Sequence, residues 1–253
     1  MKKRFALGML GTFAVTAGAV LWLERLGRRW GASGDEVRAA LPGDETVPHS
    51  MLETTHAVTI HAPAAAVWPW LVQMGYGRAG WYTNSWWYRL VDRYIFHVKM
   101  AREERILPHL QRLTVGDVIP DGPPGTAYFT VVELESERTL ALYSTTHGTV
   151  WLPRALRDNP RFGIHAELSW TFVLRPSAPT PDRTRLILRS RMSGGPALYR
   201  TLARALMPPA DFIVARLMLR TIKRNAERTA AEAADGSMPR SALPATEAIV
   251  AAP

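Results

Sequence analysis

A chain of 253 residues with 47% hydrophobic and 21% charged residues is long enough for one large domain or two small ones, and it can bury a substantial core. Its net charge of +9 suits anionic partners, but the basic residues are scattered and no nucleic-acid motif accompanies them, so the excess reads as membrane-compatible. Zero cysteines exclude disulfides, thiolate metal sites and a cysteine nucleophile.

At the amino terminus Lys2-Lys3-Arg4 precedes an uncharged run of 19 residues, 5–23, which as a helix spans roughly 28 Å and so matches a bilayer core. A cleaved signal peptide ending at Ala17-Gly18-Ala19 is the competing reading. Apolar residues continue past that site to Leu23, and Arg25, Arg28 and Arg29 follow, so a retained single-pass anchor (residues 1–29) in a bacterial inner membrane is favoured. Lys/Arg clusters of equal size at both ends leave the side of the soluble domain open.

Residues 30–54, with Gly31, Gly34, Pro42, Gly43 and Pro48, read as a polar linker, and a single globular domain is predicted over 55–234. It opens with a strand at 56–62, where Val58 and Ile60 alternate with Thr59 and His61, followed by Pro63 at the first turn of an alanine-rich helix with a kink at Pro69. Gly75, Gly77 and Gly80 then have the spacing of a dinucleotide loop. The chain before them looks helical rather than extended, however, and Trp81-Tyr82 is not a helix start. The glycines therefore read as a tight turn that delivers Trp81, Tyr82, Trp86 and Trp87 to one end of a sheet.

Further strands are predicted at 127–134, 139–145, 167–174 and 184–192. In the last two, Leu168, Trp170, Phe172 and Leu174 share one face, as do Leu186, Leu188 and Met192, while Arg185, Arg189 and Arg191 form an opposite row that reads as solvated. Such patterning is antiparallel sheet with one covered face. After Pro208-Pro209, Phe212, Ala215, Leu219, Ile222 and Ala226 recur at helical spacing and predict a long amphipathic helix lying on that sheet. Residues 235–253 have the composition of a disordered tail.

The stretches Thr59-Ile60-His61-Ala62-Pro63, Val67 through Gly75, Gly80-Trp81-Tyr82, Val115-Gly116-Asp117, Ser169-Trp170-Thr171-Phe172, Thr184-Arg185-Leu186 and Ile222 through Glu227 resemble the SRPBCC superfamily, the START and Bet v 1-like or polyketide cyclase/dehydrase group. The resemblance runs from about residue 55 to 230. It implies an α+β helix-grip fold, a curved antiparallel sheet wrapped around a long carboxy-terminal helix, with an apolar cavity between them. The function it implies is binding of a hydrophobic small molecule or lipid. The alternative is a cyclase- or dehydrase-type enzyme acting on a polyketide-like or aromatic substrate.

Within that frame Tyr82, Trp86, Trp87, Trp151 and Trp170 are the candidate ligand-binding aromatics. His147, in Thr145-Thr146-His147-Gly148 at a strand end, is the candidate general base or acid, with Asp117 and Glu133 as its candidate partners. The segment from there to His165, containing Trp151, Pro153 and Pro160, reads as a lid. Asp117 itself reads as a turn former. His49, His56 and His61 lack ligand spacing and no His-Glu-x-x-His pattern exists, so neither a metal nor a cofactor is expected. No Gly-x-Ser-x-Gly elbow is present either, and oligomeric state is not legible.

Overall fold

Six stretches with period-two apolar patterning pair into one antiparallel sheet in the computed structural model, which describes residues 27–83, 101, 103–149, 152–177 and 182–236. They are β1 (Leu52–Ile60), β2 (Val118–Pro120), β3 (Tyr128–Glu135), β4 (Thr139–Ser144), β5 (His165–Pro176) and β6 (Thr184–Gly195), in the spatial order β1-β6-β5-β4-β3-β2. The helices are α1 (Gly34–Arg38), α2 (Ala64–Val72), α3 (Arg154–Arg157) and α4 (Ala197–Ala234). The sheet curves around α4, which is the helix-grip arrangement.

Register explains the core. Leu142 on β4 faces Trp170 on β5, Phe172 lies between Leu140 and Leu188, and Leu174 pairs with Leu186, so one apolar layer crosses the sheet on a single face. Against it pack Val67, Trp70 and Leu71 of α2 and Ala215, Met218, Leu219, Ile222 and Ala226 of α4. The helical spacing read from 212–226 thus does cover the sheet, but α4 begins at Ala197 and runs through Pro208 and Pro209 rather than starting after them. Each proline forfeits one backbone hydrogen bond. Packing of residues on both sides of the pair, Tyr199 and Ala203 before it and Ala215 after it, keeps the helix continuous.

The opposite face of the sheet departs most from expectation. Residues 30–54 are not a linker, and the Arg185–Arg189–Arg191 row is not solvated. The two meet. Arg189, 2% exposed, spends all five guanidinium N–H groups on Thr55 Oγ1, Asp44 Oδ2 and the carbonyls of Glu36, Val37 and Ala39. Arg191 reaches Ser50 Oγ and the Asp44 carbonyl, and Arg185 holds both oxygens of Glu36 at 2.6 and 2.8 Å. Leu41 packs with Ala57, Val173 and Ile187 beneath them. Ser33 and Glu36 close a reciprocal capping box on α1, which holds the Glu36 carboxylate within the Arg185 fork. The domain therefore includes this amino-terminal segment, and β1 starts at Leu52, not at 56.

The hydrogen bond from Arg185 holds the Glu36 carboxyl below its ordinary value of 4.5, against the opposing effect of burial. A depressed folded-state value means that the stabilisation is present above pH 4.5 and lost as the pH falls through the lower folded value. Urea midpoints measured from pH 7 to pH 3 are expected to fall less in Glu36→Gln than in the parent chain. Equal slopes in the two proteins would show that this pair does not couple folding to pH.

The expected anchor at residues 5–23 and the tail beyond 236 lie outside the described residues. Among those described, no helix is long and apolar enough to cross a membrane.

Candidate functional site

The strand ends that carry Ser144, Leu168 and Met192 lie together at one end of the sheet, and the loops leaving that end place the polar groups. β2 runs out at Pro120 into Asp121, and β4 runs out at Ser144 into the turn that bears His147. Thr146 laces the two loops by taking the Tyr128 N–H on its Oγ1 and donating to the Tyr128 carbonyl. Gly148 follows, and only glycine fits there: a Cβ would stand 2.3 Å from Ala166 Cβ and 2.6 Å from Tyr199 Oη. Tyr199, on the first turn of α4, donates its hydroxyl to the Gly148 carbonyl, so the amino-terminal end of α4 pins the loop from above. Burial raises the Tyr199 phenol to about 12, which keeps that donor protonated.

His147 is 12% exposed and fully engaged. Its Nε2 lies 2.7 Å from Asp121 Oδ2 and its Nδ1 lies 2.8 Å from Ser144 Oγ. A carboxylate oxygen accepts, so in this geometry Nε2 donates to Asp121 Oδ2 while Nδ1 lies against the Ser144 hydroxyl. This is a hydroxyl–imidazole–carboxylate chain. It is not a nucleophile's triad, because Ser144 is 2% exposed and its oxygen already accepts the backbone N–H groups of Thr146 and His147. Ser144 is a turn anchor that also fixes the imidazole. The partner of His147 is Asp121, neither Asp117 nor Glu133. Asp117 caps its own turn by accepting the Thr114 N–H, as its turn-former reading required, while burial raises the Glu133 carboxyl.

Around the imidazole stands an aromatic stack. The His147 ring lies on Phe129 at 3.9 Å and 29°, Phe129 lies on Trp170 at 5.1 Å and 27°, and Trp81 meets both Phe129 and Trp170 edge-on at 5.7 Å. Phe129 is buried, whereas Trp170 keeps part of its surface accessible and Asp121 is 32% exposed. Trp81 Nε1 is buried without a hydrogen-bond partner among the described residues. Sequence reasoning named His147 and Trp170 but missed Asp121, Ser144 and Phe129. The Asp121 signal, an acidic residue opening a Gly/Pro-rich turn after a short strand, is that of any turn.

Tyr82 does not line the site. It is fully buried, its hydroxyl accepts from Gln73 Nε2 at 2.9 Å, and its ring packs edge-on against Trp70. Burial pushes its phenol upward, so it is a neutral core group. Trp86, Trp87 and Trp151 lie outside the described residues. The glycine-rich turn is closed by paired backbone bonds between Gly75 and Gly80. Within it Arg78 donates to the carbonyls of Val72 and Met74 at the end of α2. Its arginine thus serves the protein's own carbonyls, which bears out the turn reading over a phosphate cradle. The expected lid contains α3 and a 3-10 turn at Pro160–Phe162 capped by Asn159.

A second buried polar cluster lies between sheet and helix. Asp211 on α4 holds Thr54, His56 Nε2 at 2.9 Å and Ser190 Oγ at 3.0 Å. His56 is fully buried and Asp211 only 14% exposed, so this cluster fixes α4 on β1 and β6 rather than offering groups to a ligand. Among the described residues no group of three or more potential metal ligands occurs.

The chain matches no family model and no curated protein. Solved structures similar to it include a protein from Mesorhizobium loti, at 17% identity over 69% of this chain and 98% of that one with a TM-score of 0.36. A hypothetical protein from Helicobacter pylori is 12% identical over 74% and 95%, TM-score 0.42. A Thalictrum flavum norcoclaurine synthase point mutant, solved with a transition-state analogue, is 11% identical over 70% and 94%, TM-score 0.38. At these identities and scores nothing of their activity transfers to this chain.

Proposed function

We propose that this domain, tethered to a membrane by residues 5–23, binds a planar hydrophobic small molecule against Trp170, which the buried Phe129 and Trp81 hold in place. The ligand's polar edge would face the His147–Asp121 pair. The observation that carries the reading is the continuous stack His147–Phe129–Trp170, in which Trp170 keeps part of its surface accessible and the His147 partner Asp121 is 32% exposed. Flat aromatic surface with one polar rim favours planar ligands over flexible chains, because stacking orders a rigid ring at little entropic cost. Both ring nitrogens of His147 are already bonded within the protein, which favours a lining role over proton transfer.

The test is uptake of a planar fluorescent naphthalene probe by the full chain in mild detergent, together with native mass spectrometry for a co-purifying ligand. Trp170→Ala is expected to weaken probe binding about 2- to 10-fold, the effect of losing one aromatic pair of ~0.5–1.5 kcal/mol. No uptake by the parent chain and no co-purifying ligand would overturn the reading.

A second reading is favoured by one feature, the carboxylate-paired imidazole. A substrate able to displace Asp121 or Ser144 from His147 would meet a general acid or base, as cyclase-type chemistry requires.

A further inference from the structure

The amino-terminal half of α4 carries a row of exposed apolar side chains among the described residues. Leu198, Leu202, Leu206 and Ile213 are 71%, 43%, 55% and 37% exposed. Their steps of four, four and seven residues put them on one stripe of the helix, roughly 22 Å long at 1.5 Å per residue. Such a row is uncommon on a soluble surface. The same stripe continues into Arg216 and Arg220, whose guanidinium groups lie 5.9 Å over Phe212 and 5.6 Å over Trp30. Arg220 then joins Trp30, Val58, Lys223, Arg224 and Glu227 in lining a groove, where Lys223 pairs with Glu227 at 3.4 Å.

We propose that this face of α4 lies on an anionic lipid bilayer, with the leucine stripe in the acyl boundary and Arg216, Arg220 and Arg224 at the level of the phosphates. Three observations select that occupant. The pattern of apolar stripe, aromatic belt and guanidinium cluster is that of an interfacial amphipathic helix. The chain's charge of +9 complements anionic headgroups. Finally, the chain enters the domain at this helix: Gly27 packs directly against Pro208, so close that a Cβ would meet the Pro208 carbonyl at 3.1 Å. The uncharged residues 5–23 precede it by only a few positions. A tether attached beside the stripe holds it at high effective concentration near the membrane surface.

The inference shares the tether with the function proposed above but not the interior site. Because the chain has no cysteine, Leu202→Cys in the full-length protein takes a single environment-sensitive nitrobenzoxadiazole label. Arg138→Cys, in the turn at the other end of the sheet, serves as the control. In vesicles of phosphatidylcholine with one-third phosphatidylglycerol, the label at 202 is expected to emit to the blue of the control and to be reduced by dithionite about tenfold more slowly. Doubling Arg216→Glu with Arg220→Glu in that background is expected to restore most of the reduction rate. Equal reduction rates at 202 and 138 would overturn the proposal. So would shielding of 202 that is as strong in pure phosphatidylcholine, since the arginine–headgroup attraction would then not be what seats the stripe on the bilayer. Probe uptake by the interior, measured on the same samples, reports separately on the binding site.

Discussion

Arg189→Ala is expected to destabilise the domain by about 3–5 kcal/mol, the cost of breaking a buried ion pair and leaving its partner uncompensated. The side chain is 2% exposed, and its removal takes the nearest cation from the Asp44 carboxylate, leaving it the Leu41 N–H at 2.9 Å and Arg191 at 3.8 Å, and takes the donors from the carbonyls of Glu36, Val37 and Ala39. Arg191 and Arg185 are committed chiefly to Ser50, the Asp44 carbonyl, Glu53 and Glu36, so they are poorly placed to replace the donors that the Glu36, Val37 and Ala39 carbonyls lose. The urea midpoint should drop, and limited proteolysis should begin between residues 39 and 50 while the sheet beneath remains protected. Arg189→Lys is expected to recover less than half of the loss, since an ammonium has three donors and cannot reproduce the fork. A change below about 1 kcal/mol in Arg189→Ala would mean that the amino-terminal segment is not held by this residue.

His147→Gln separates the two functional readings with the largest expected change in rate. If the domain turns a substrate over through His147, the chemical step should slow by roughly 100-fold or more, with ligand affinity little changed. Glutamine can still donate to Asp121 but cannot cycle a proton. If the domain only binds, His147→Gln should alter affinity alone, through the lost face on Phe129. Ser144→Ala adds a control for the turn-anchor role, because the loss of one hydroxyl that fixes the loop should leave turnover within about tenfold, whereas a nucleophile would be indispensable. Normal turnover in His147→Gln would remove the imidazole from the mechanism.

The sheet and its gripping helix were legible because their causes are local and periodic. Leu168, Trp170, Phe172 and Leu174 alternate along β5 and Phe212 through Ala226 recur at helical spacing, and an antiparallel sheet covered on one face by a long helix follows from those two periods, the curvature of the sheet having been implied only by the family resemblance. The arginine row of β6 was equally visible as a row. Its meaning was not, because alternation says only that three arginines share a face and cannot say that Glu36, Asp44 and Glu53 arrive there from up to 153 residues away. A polar, glycine- and proline-marked stretch reads as linker wherever its charges have no visible partner.

The site shows the same division. His147 stood out by residue type and by its place after a strand, and Trp170 by its apolar neighbours. Asp121, Ser144 and Phe129 became its companions only when antiparallel pairing brought the ends of β2, β3 and β4 to one edge of the sheet. Tyr82, chosen for its hydroxyl, went into the core because Gln73 could satisfy that hydroxyl there. Period by itself determined that an antiparallel sheet lies under a long amphipathic helix, following an uncharged run at residues 5–23. Which polar groups meet, and which are consumed by the protein's own backbone, was decided by tertiary structure, since hydrogen-bond partners are chosen by distance in space and not by distance along the chain.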